Sequence, residues 1–128
     1  MSGWTWVPLE AVYIVHDRQI ARHGGAPGVR DAGLVETACA RPLNKAQYET
    51  VDVFDLAAAY TFGLAKAYAF VDGNKRTAFV VGVTFLRLDG YAFRPDPEKG
   101  LAMIEGLATD AISENSYANW LREGAKLL

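Results

Sequence analysis

The residue types best suited to chemistry lie together at positions 72–76, which read Asp-Gly-Asn-Lys-Arg. Gly73 lets the backbone approach a ligand closely and adopt a positive φ without steric cost. If a helix begins at Asn74, its free N–H groups and dipole form an anion site, to which Lys75 and Arg76 add positive charge. The carboxylate of Asp72, beside a bound polyphosphate, is well placed to hold Mg²⁺. The stretch therefore indicates a nucleotide-polyphosphate site.

A structural interpretation competes with this one. Asp-Gly is a common turn, Asp72 could serve only as an N-cap, and Lys75 and Arg76 could be a solvated helix start. The stretch is not a P-loop, because Asn74 separates Gly73 from Lys75. No Cys or His cluster has metal-ligand spacing, and there is no Gly-x-Ser-x-Gly elbow. The residue types alone leave both interpretations open.

Composition restricts the class of protein. A chain of 128 residues with 51% hydrophobic and 22% charged residues is ordinary for a soluble globular protein, and we expect one domain over residues 1–128. The net charge of −2 argues against a nucleic acid or an anionic membrane as the main partner. The single cysteine excludes an internal disulfide, and no signal pattern or membrane-length apolar run is visible. We therefore expect a cytoplasmic protein.

The apolar periodicity of the first half predicts helices. One covers residues 9–23 and ends at a glycine-rich loop over residues 24–30. His16 and His23 are interpreted as surface or capping residues of this helix. A second helix is capped by Asp31 and ends before Pro42, and a polar loop follows over residues 44–52.

The two segments that flank the chemical stretch are apolar nearly all round. Residues 54–70 and residues 77–88 leave hardly any polar face, which is typical of central, buried helices. Residues 72–76 would then form a turn at one end of the core. Two amphipathic helices are predicted after this pair, over residues 98–108 and residues 113–127.

Short alternating segments at residues 4–7 and residues 91–93 predict two strands that pair with each other. The predicted fold class is therefore all-α. It has about six helices around a central buried helix pair, with at most a tiny two-stranded hairpin.

The stretch that begins at Tyr68 resembles the motif of the Fic/Doc superfamily, and specifically its Doc (death-on-curing) branch. That motif reads His-x-Phe-x-Asp/Asn-Gly/Ala-Asn-Lys-Arg, and the chain matches it at Phe70 and throughout residues 72–76. The resemblance continues at residues 16–18 (His-Asp-Arg), at the glycine pair 24–25 and over residues 57–63. It covers nearly the whole chain.

The resemblance implies a Fic fold whose motif loop opens the central helix. Fic proteins usually transfer AMP from ATP to a protein hydroxyl. In the Doc branch, with lysine at the position of Lys75, the nucleotide lies in the reverse sense and the enzyme acts as a kinase. Doc-like toxins phosphorylate a threonine of elongation factor Tu and arrest translation. The implied cofactors are ATP and Mg²⁺, and the implied partner is a Phd-like antitoxin, with the free toxin a monomer.

The resemblance also assigns a role to each motif residue. These roles are Mg²⁺ binding for Asp72, shaping of the anion pocket for Gly73 and Asn74, phosphate binding for Lys75 and Arg76, and anchoring of the loop for Phe70. Asp72 and Arg76 are also expected to act in the transfer itself, through positioning and charge stabilisation.

Tyr68 departs from the family motif, which has a histidine there as general base for the acceptor hydroxyl. Free histidine has a pKa of about 6.5 and free tyrosine of about 10, so a phenol is a poor base at neutral pH. We therefore expect this chain to bind nucleotide but to transfer phosphate poorly or not at all. The tyrosine is either an inactivating substitution or a natural variant that has lost or changed the chemistry. Two alternatives stay open: a Fic-type adenylyltransferase, and a catalytically dead module that binds an antitoxin or another protein.

Overall fold

The computed structural model describes residues 3–128, and within them the fold is helical with one two-stranded antiparallel ribbon. The elements in chain order are α1 (Leu9–His23), α2 (Ala32–Tyr48), α3 (Val53–Ala67), α4 (Asn74–Leu88), β1 (Tyr91–Ala92), α5 (Pro97–Ala108), α6 (Glu114–Gly124) and β2 (Lys126–Leu127). The predicted all-α class with about six helices is confirmed. None of the helices within residues 3–128 is long and apolar enough to cross a membrane.

Helices α3 and α4 form the centre of the core, as their apolar composition predicts. Leu56 and Ala57 of α3 and Phe85 of α4 are fully buried. The two helices pack closely at Gly82, where any side chain would collide with Thr61. Thr61 also donates a buried hydrogen bond of 3.0 Å to the Ala78 carbonyl oxygen. Helices α2, α5 and α6 all contact α3, and α1 packs on α4.

Helix α2 continues well past the point where the sequence predicted its end. It includes Pro42 and ends at Tyr48, so the predicted stop before Pro42 and the predicted loop from residue 44 are wrong. A proline has no N–H for the carbonyl four residues earlier, which here is that of Ala38. Gly63 of α3 approaches that carbonyl so closely that a Cβ there would lie 3.1 Å from the Ala38 oxygen. Pro42 is itself buried, and the helix continues through it despite the lost hydrogen bond.

The predicted pairing between the N-terminal arm and residues 91–93 is also wrong. Strand β1 pairs instead with β2, so that Tyr91 lies opposite Leu127 and Ala92 opposite Lys126. The predicted last helix accordingly ends at Gly124 and not at Leu127.

Side chains hold the N-terminal arm in place of a strand. The Thr5 N–H donates to Asp89 Oδ1 over 2.7 Å, and the Val7 N–H donates to the Tyr60 hydroxyl over 3.2 Å. Trp6 stacks on Phe85 with ring centroids 5.5 Å apart. Because side-chain acceptors already satisfy these N–H groups, the arm needs no partner strand.

The start of α3 is closed by side chains. Asp52 Oδ1 accepts hydrogen bonds from the Phe54 and Asp55 N–H groups, and the Asp55 carboxylate accepts from the Asp52 N–H over 3.0 Å, which completes a capping box. Arg122 of α6 adds two hydrogen bonds of 2.9 Å to the Asp52 carboxylate. This cluster fixes α6 to the N-terminus of the central helix.

Candidate functional site

The motif loop connects α3 to α4 and turns one side chain inward. Phe70 is 2% exposed, and it contacts Tyr13 edge-on and the His16 ring face-on. Tyr68 and Val71 point the other way and are 56% and 54% exposed. The backbone of Tyr68, at the C-cap of α3, is left-handed with φ 50° and ψ 41°, a conformation that is uncommon for a bulky residue. Phe70 therefore anchors the loop to the core, and the Tyr68 and Val71 side chains on either side of it face solvent.

Asn74 closes this loop with its side chain. Its Oδ1 accepts from the Phe70 N–H and its Nδ2 donates to the Phe70 carbonyl, both over 3.0 Å. These two bonds hold the side-chain amide against the Phe70 backbone, so that it sets the shape of the loop. The backbone N–H of Asn74 stays open for an anion.

The start of α4 lacks a side-chain cap. Gly73 is the N-cap, in a left-handed conformation with φ 74°, and no side chain accepts from the first turn. The first N–H bonded within the helix is that of Thr77, which donates to the Gly73 carbonyl over 3.0 Å. In the described part of the chain, the N–H groups of residues 74–76 therefore have no acceptor. Three open donors at a helix N-terminus fit a phosphate group.

Two cations and one carboxylate adjoin these donors in the sequence. Lys75 Nζ lies 2.9 Å from Glu105 Oε1, whereas Arg76 is exposed and makes no ion pair with any residue from 3 to 128. Asp72 is also exposed, and its carboxylate accepts from the Gly73 N–H over 2.8 Å and from the Ala26 N–H over 3.3 Å. Asp72, Lys75 and Arg76 are thus exposed at the start of α4, and among residues 3–128 only Lys75 of these three has an ionic partner.

The donor set also fits Mg²⁺ bound together with a polyphosphate. No group of three or more His, Cys, Asp or Glu side chains that could hold a metal occurs among residues 3–128. Asp72 would supply one carboxylate ligand, which is how Mg²⁺ is commonly bound in nucleotide sites, with phosphate and water oxygens completing its shell. Such an ion would depend on the nucleotide.

A second loop, from Gly24 to Asp31, lies against the motif loop. The Arg30 and Asp31 N–H groups both donate to the Ala69 carbonyl, and the Val71 N–H donates to the Gly28 carbonyl. Gly25 is close to the site itself, since a Cβ there would lie 2.7 Å from Asp72 Oδ2. The sequence identified this segment as a loop but gave no sign that it borders the site.

His16 is the residue that the sequence interpretation misplaced. It was expected at the surface, but it is 2% exposed, and its Nε2 lies 2.8 Å from the Asp72 carbonyl oxygen. His23 is exposed at the end of α1, as expected. The helical spacing contained the missing signal, because His16 lies four residues after the buried Val12 and four before Ile20, on the same face of α1.

Comparison with known proteins identifies the class. The profile of the Fic/DOC family matches residues 6–86, which include the whole motif loop. The chain belongs to the Fic/DOC family.

Two related proteins show which members of the family the chain resembles. The chain is 37% identical over 114 residues to the protein kinase doc of Escherichia phage P1, an alignment that covers 88% of this chain and 90% of the relative. It is 44% identical over 77 residues to the toxin Doc of Mycolicibacterium smegmatis, which covers 57% of this chain and 58% of the relative. The resemblance to Doc toxins that the motif predicted is confirmed.

Proposed function

We propose that this chain is a Doc-like toxin whose site at the start of α4 binds ATP with Mg²⁺ for phosphoryl transfer to a protein hydroxyl. The observation that carries the proposal is the uncapped α4 N-terminus, with three open N–H donors next to Arg76 and the Asp72 carboxylate. The relative from phage P1, named a protein kinase, supports phosphoryl transfer as the reaction. The proposed acceptor is a threonine of elongation factor Tu, and the proposed regulator is a Phd-like antitoxin.

Each motif residue has a separate part in this proposal. The N–H groups of residues 74–76 and the Arg76 guanidinium hold phosphate oxygens, and Asp72 holds the metal. Lys75 also binds phosphate in this proposal, after its ion pair with Glu105 breaks. That ion pair is exposed to solvent and therefore costs little to break. Bound ATP with Mg²⁺ supplies the activated phosphoryl group and neutralises charge at the phosphates.

Tyr68 limits the reaction in this proposal. The acceptor hydroxyl must lose a proton as the phosphoryl group arrives, and the family places a histidine at this position to take it. Within residues 3–128, the Tyr68 side chain has no hydrogen-bond partner that could accept its own proton. We therefore propose that the chain binds nucleotide but transfers phosphate slowly.

Calorimetric titration with ATP and Mg²⁺ tests the binding half of the proposal. We expect saturable binding to the unaltered chain and about tenfold weaker binding to Lys75→Ala. This is the lower end of what a hydrogen bond to a charged group contributes, about 1.5–3 kcal/mol, because Lys75 must first leave Glu105. Lys99→Ala, a lysine on α5 outside the motif, is the matched control and should bind normally. An unaltered chain that binds no ATP would contradict the proposal and favour a module that only binds protein.

The revertant Tyr68→His tests the catalytic half. Purified elongation factor Tu is incubated with ATP labelled at the γ- or the α-phosphate, with and without the revertant. We expect γ-label on the factor, at a rate about 100-fold or more above that of the unaltered chain, which is the usual contribution of a general base. Transfer of the α-label would instead establish an adenylyltransferase.

A further inference from the structure

We propose that His16 is a positioning residue, which fixes the Asp72–Gly73 peptide and thereby directs the Asp72 carboxylate toward the metal ion of the bound nucleotide. The inference rests on the proposed nucleotide site. Its basis is the hydrogen bond from His16 Nε2 to the Asp72 carbonyl oxygen, together with the near-complete burial of the histidine.

One peptide unit connects the histidine to the carboxylate. A carbonyl oxygen can only accept, so Nε2 of His16 carries the proton in the 2.8 Å bond to Asp72 O. The other end of the same peptide is the Gly73 N–H, which donates to Asp72 Oδ1 over 2.8 Å. Because a peptide is planar, fixing its carbonyl also fixes its N–H. The orientation that His16 imposes is therefore passed directly to the carboxylate.

The histidine ring is itself held firmly. It stacks on Phe70 with ring centroids 3.9 Å apart and an interplanar angle of 11°. The ring also lies close to Gly73, where a Cβ would be 3.7 Å from it. The Asp17 carboxylate lies 3.9 Å from His16 Nδ1, on the opposite side of the ring from Nε2, and is 82% exposed. It does not compete with the Asp72 carbonyl for Nε2.

Other contacts hold the rest of the motif loop but leave this peptide alone. Asn74 binds the backbone of Phe70, and the neighbouring loop binds Ala69 and Val71. Among the described residues, His16 provides the one side-chain bond from outside the loop to the Asp72 backbone. Gly73 follows with a positive φ and no side chain to restrict it, so the peptide would otherwise rotate readily. The loss of His16 should thus affect Asp72 more than the loop as a whole.

Two substitutions distinguish the contribution of the His16 hydrogen bond from that of its ring stacking. His16→Phe keeps an aromatic ring against Phe70 and removes the donor. His16→Gln removes the ring but places an amide N–H at the same number of bonds from Cβ as Nε2. ATP affinity is measured by calorimetry with Mg²⁺ and with EDTA, and the melting temperature of each variant is recorded.

We expect His16→Phe to lose about three- to tenfold in affinity for ATP with Mg²⁺, the equivalent of one net hydrogen bond. Its affinity for ATP in EDTA should match that of the unaltered chain, since the open N–H groups of α4 do not change. His16→Gln should recover most of the Mg²⁺-dependent affinity. His23→Phe, an exposed histidine on the same helix, is the control and should have no effect.

Three outcomes overturn the inference. They are an equal loss with Mg²⁺ and with EDTA, an equal Mg²⁺-dependent affinity in His16→Phe and the unaltered chain, and a failure of His16→Gln to recover. If His16→Phe does not fold, His16→Asn replaces it, because its shorter amide cannot reach Asp72, and the same comparison with His16→Gln applies. An unaltered chain that binds no ATP under either condition overturns the proposed function and this inference together.

Discussion

The two central helices begin in opposite ways. At the start of α3, Asp52 accepts from the Phe54 and Asp55 N–H groups, and the Asp55 carboxylate accepts from the Asp52 N–H. Arg122 also donates to the Asp52 carboxylate. At the start of α4, Gly73 offers no side chain, and the charged residues of the first turn, Lys75 and Arg76, are positive. The two starts lie at opposite ends of an antiparallel pair, since Ala57 of α3 faces Gly82 of α4 and Thr61 faces Ala78.

The difference shows what separates a structural helix start from a binding one. Side-chain acceptors at α3 satisfy the orphan donors within the protein, which stabilises the fold and leaves nothing for a ligand. At α4 the donors stay open and cations replace the usual acidic residues of a first turn, which destabilises the free helix end unless an anion is present. Of these two helix starts, the one without a side-chain cap is thus the one suited to bind phosphate.

Among changes at the two helix starts, the removal of Arg76 has the largest expected effect. Arg76→Ala should weaken ATP binding about 10- to 100-fold, because a charged hydrogen bond to phosphate contributes about 1.5–3 kcal/mol. The free energy of unfolding in urea should hardly change, since the guanidinium pairs with no other residue among 3–128. Arg87→Ala, at the far end of α4, is the control. Unchanged ATP affinity in Arg76→Ala would contradict the assignment of the α4 start as a phosphate-binding site.

The reciprocal change is at the start of α3. Asp52→Ala should lower the free energy of unfolding by about 1–2 kcal/mol. The substitution removes the N-cap hydrogen bonds of α3, and it also leaves Arg122 without its main partner. ATP affinity should be unaffected. Urea denaturation and calorimetry on the same preparation check both statements, and a loss of ATP binding here would mean that the two ends are coupled.

Acidic pH should destabilise the fold through the N-cap of α3. Burial favours the neutral form of Asp52, but hydrogen bonds from the Asp55 N–H and from Arg122 outweigh it and lower the Asp52 pKa below its ordinary 3.8. A carboxyl with a depressed folded-state pKa stabilises the fold above its unfolded pKa, and the contribution is lost as the pH falls through the folded value. We expect stability to fall below pH of about 4, and to fall less steeply in Asp52→Asn. Identical urea-denaturation profiles from pH 6 to pH 3 for both chains would refute this.

The smallest effect concerns the ion pair at the α4 start. Glu105→Gln releases Lys75 and removes a negative charge near the phosphate position, so ATP affinity should rise about two- to fivefold. Glu98→Gln, an exposed acid on the same helix, controls for the change in net charge. Calorimetry at low ionic strength is the suitable measurement, and equal gains in both variants would show a general charge effect.

Prediction from sequence was most successful where the information is local. The near-continuous apolar composition of α3 and α4 reports their burial, and the glycine before Asn74 marks where α4 begins. Prediction was wrong at Pro42 and at the N-terminal arm. In both places the decisive contact is with a residue distant in sequence: Gly63 packs closely against the Ala38 carbonyl of α2, and Asp89 accepts a hydrogen bond from the arm. No local pattern reports either contact.

By itself, the sequence determined the helical fold class, the motif in register from Phe70 to Arg76 and the family to which the chain belongs. Only the tertiary structure decided that His16 is buried beneath Asp72 and that Glu105 pairs with Lys75. The physical reason is that helical periodicity reports which face of a helix is buried, whereas the identity of its partners depends on how the helices pack.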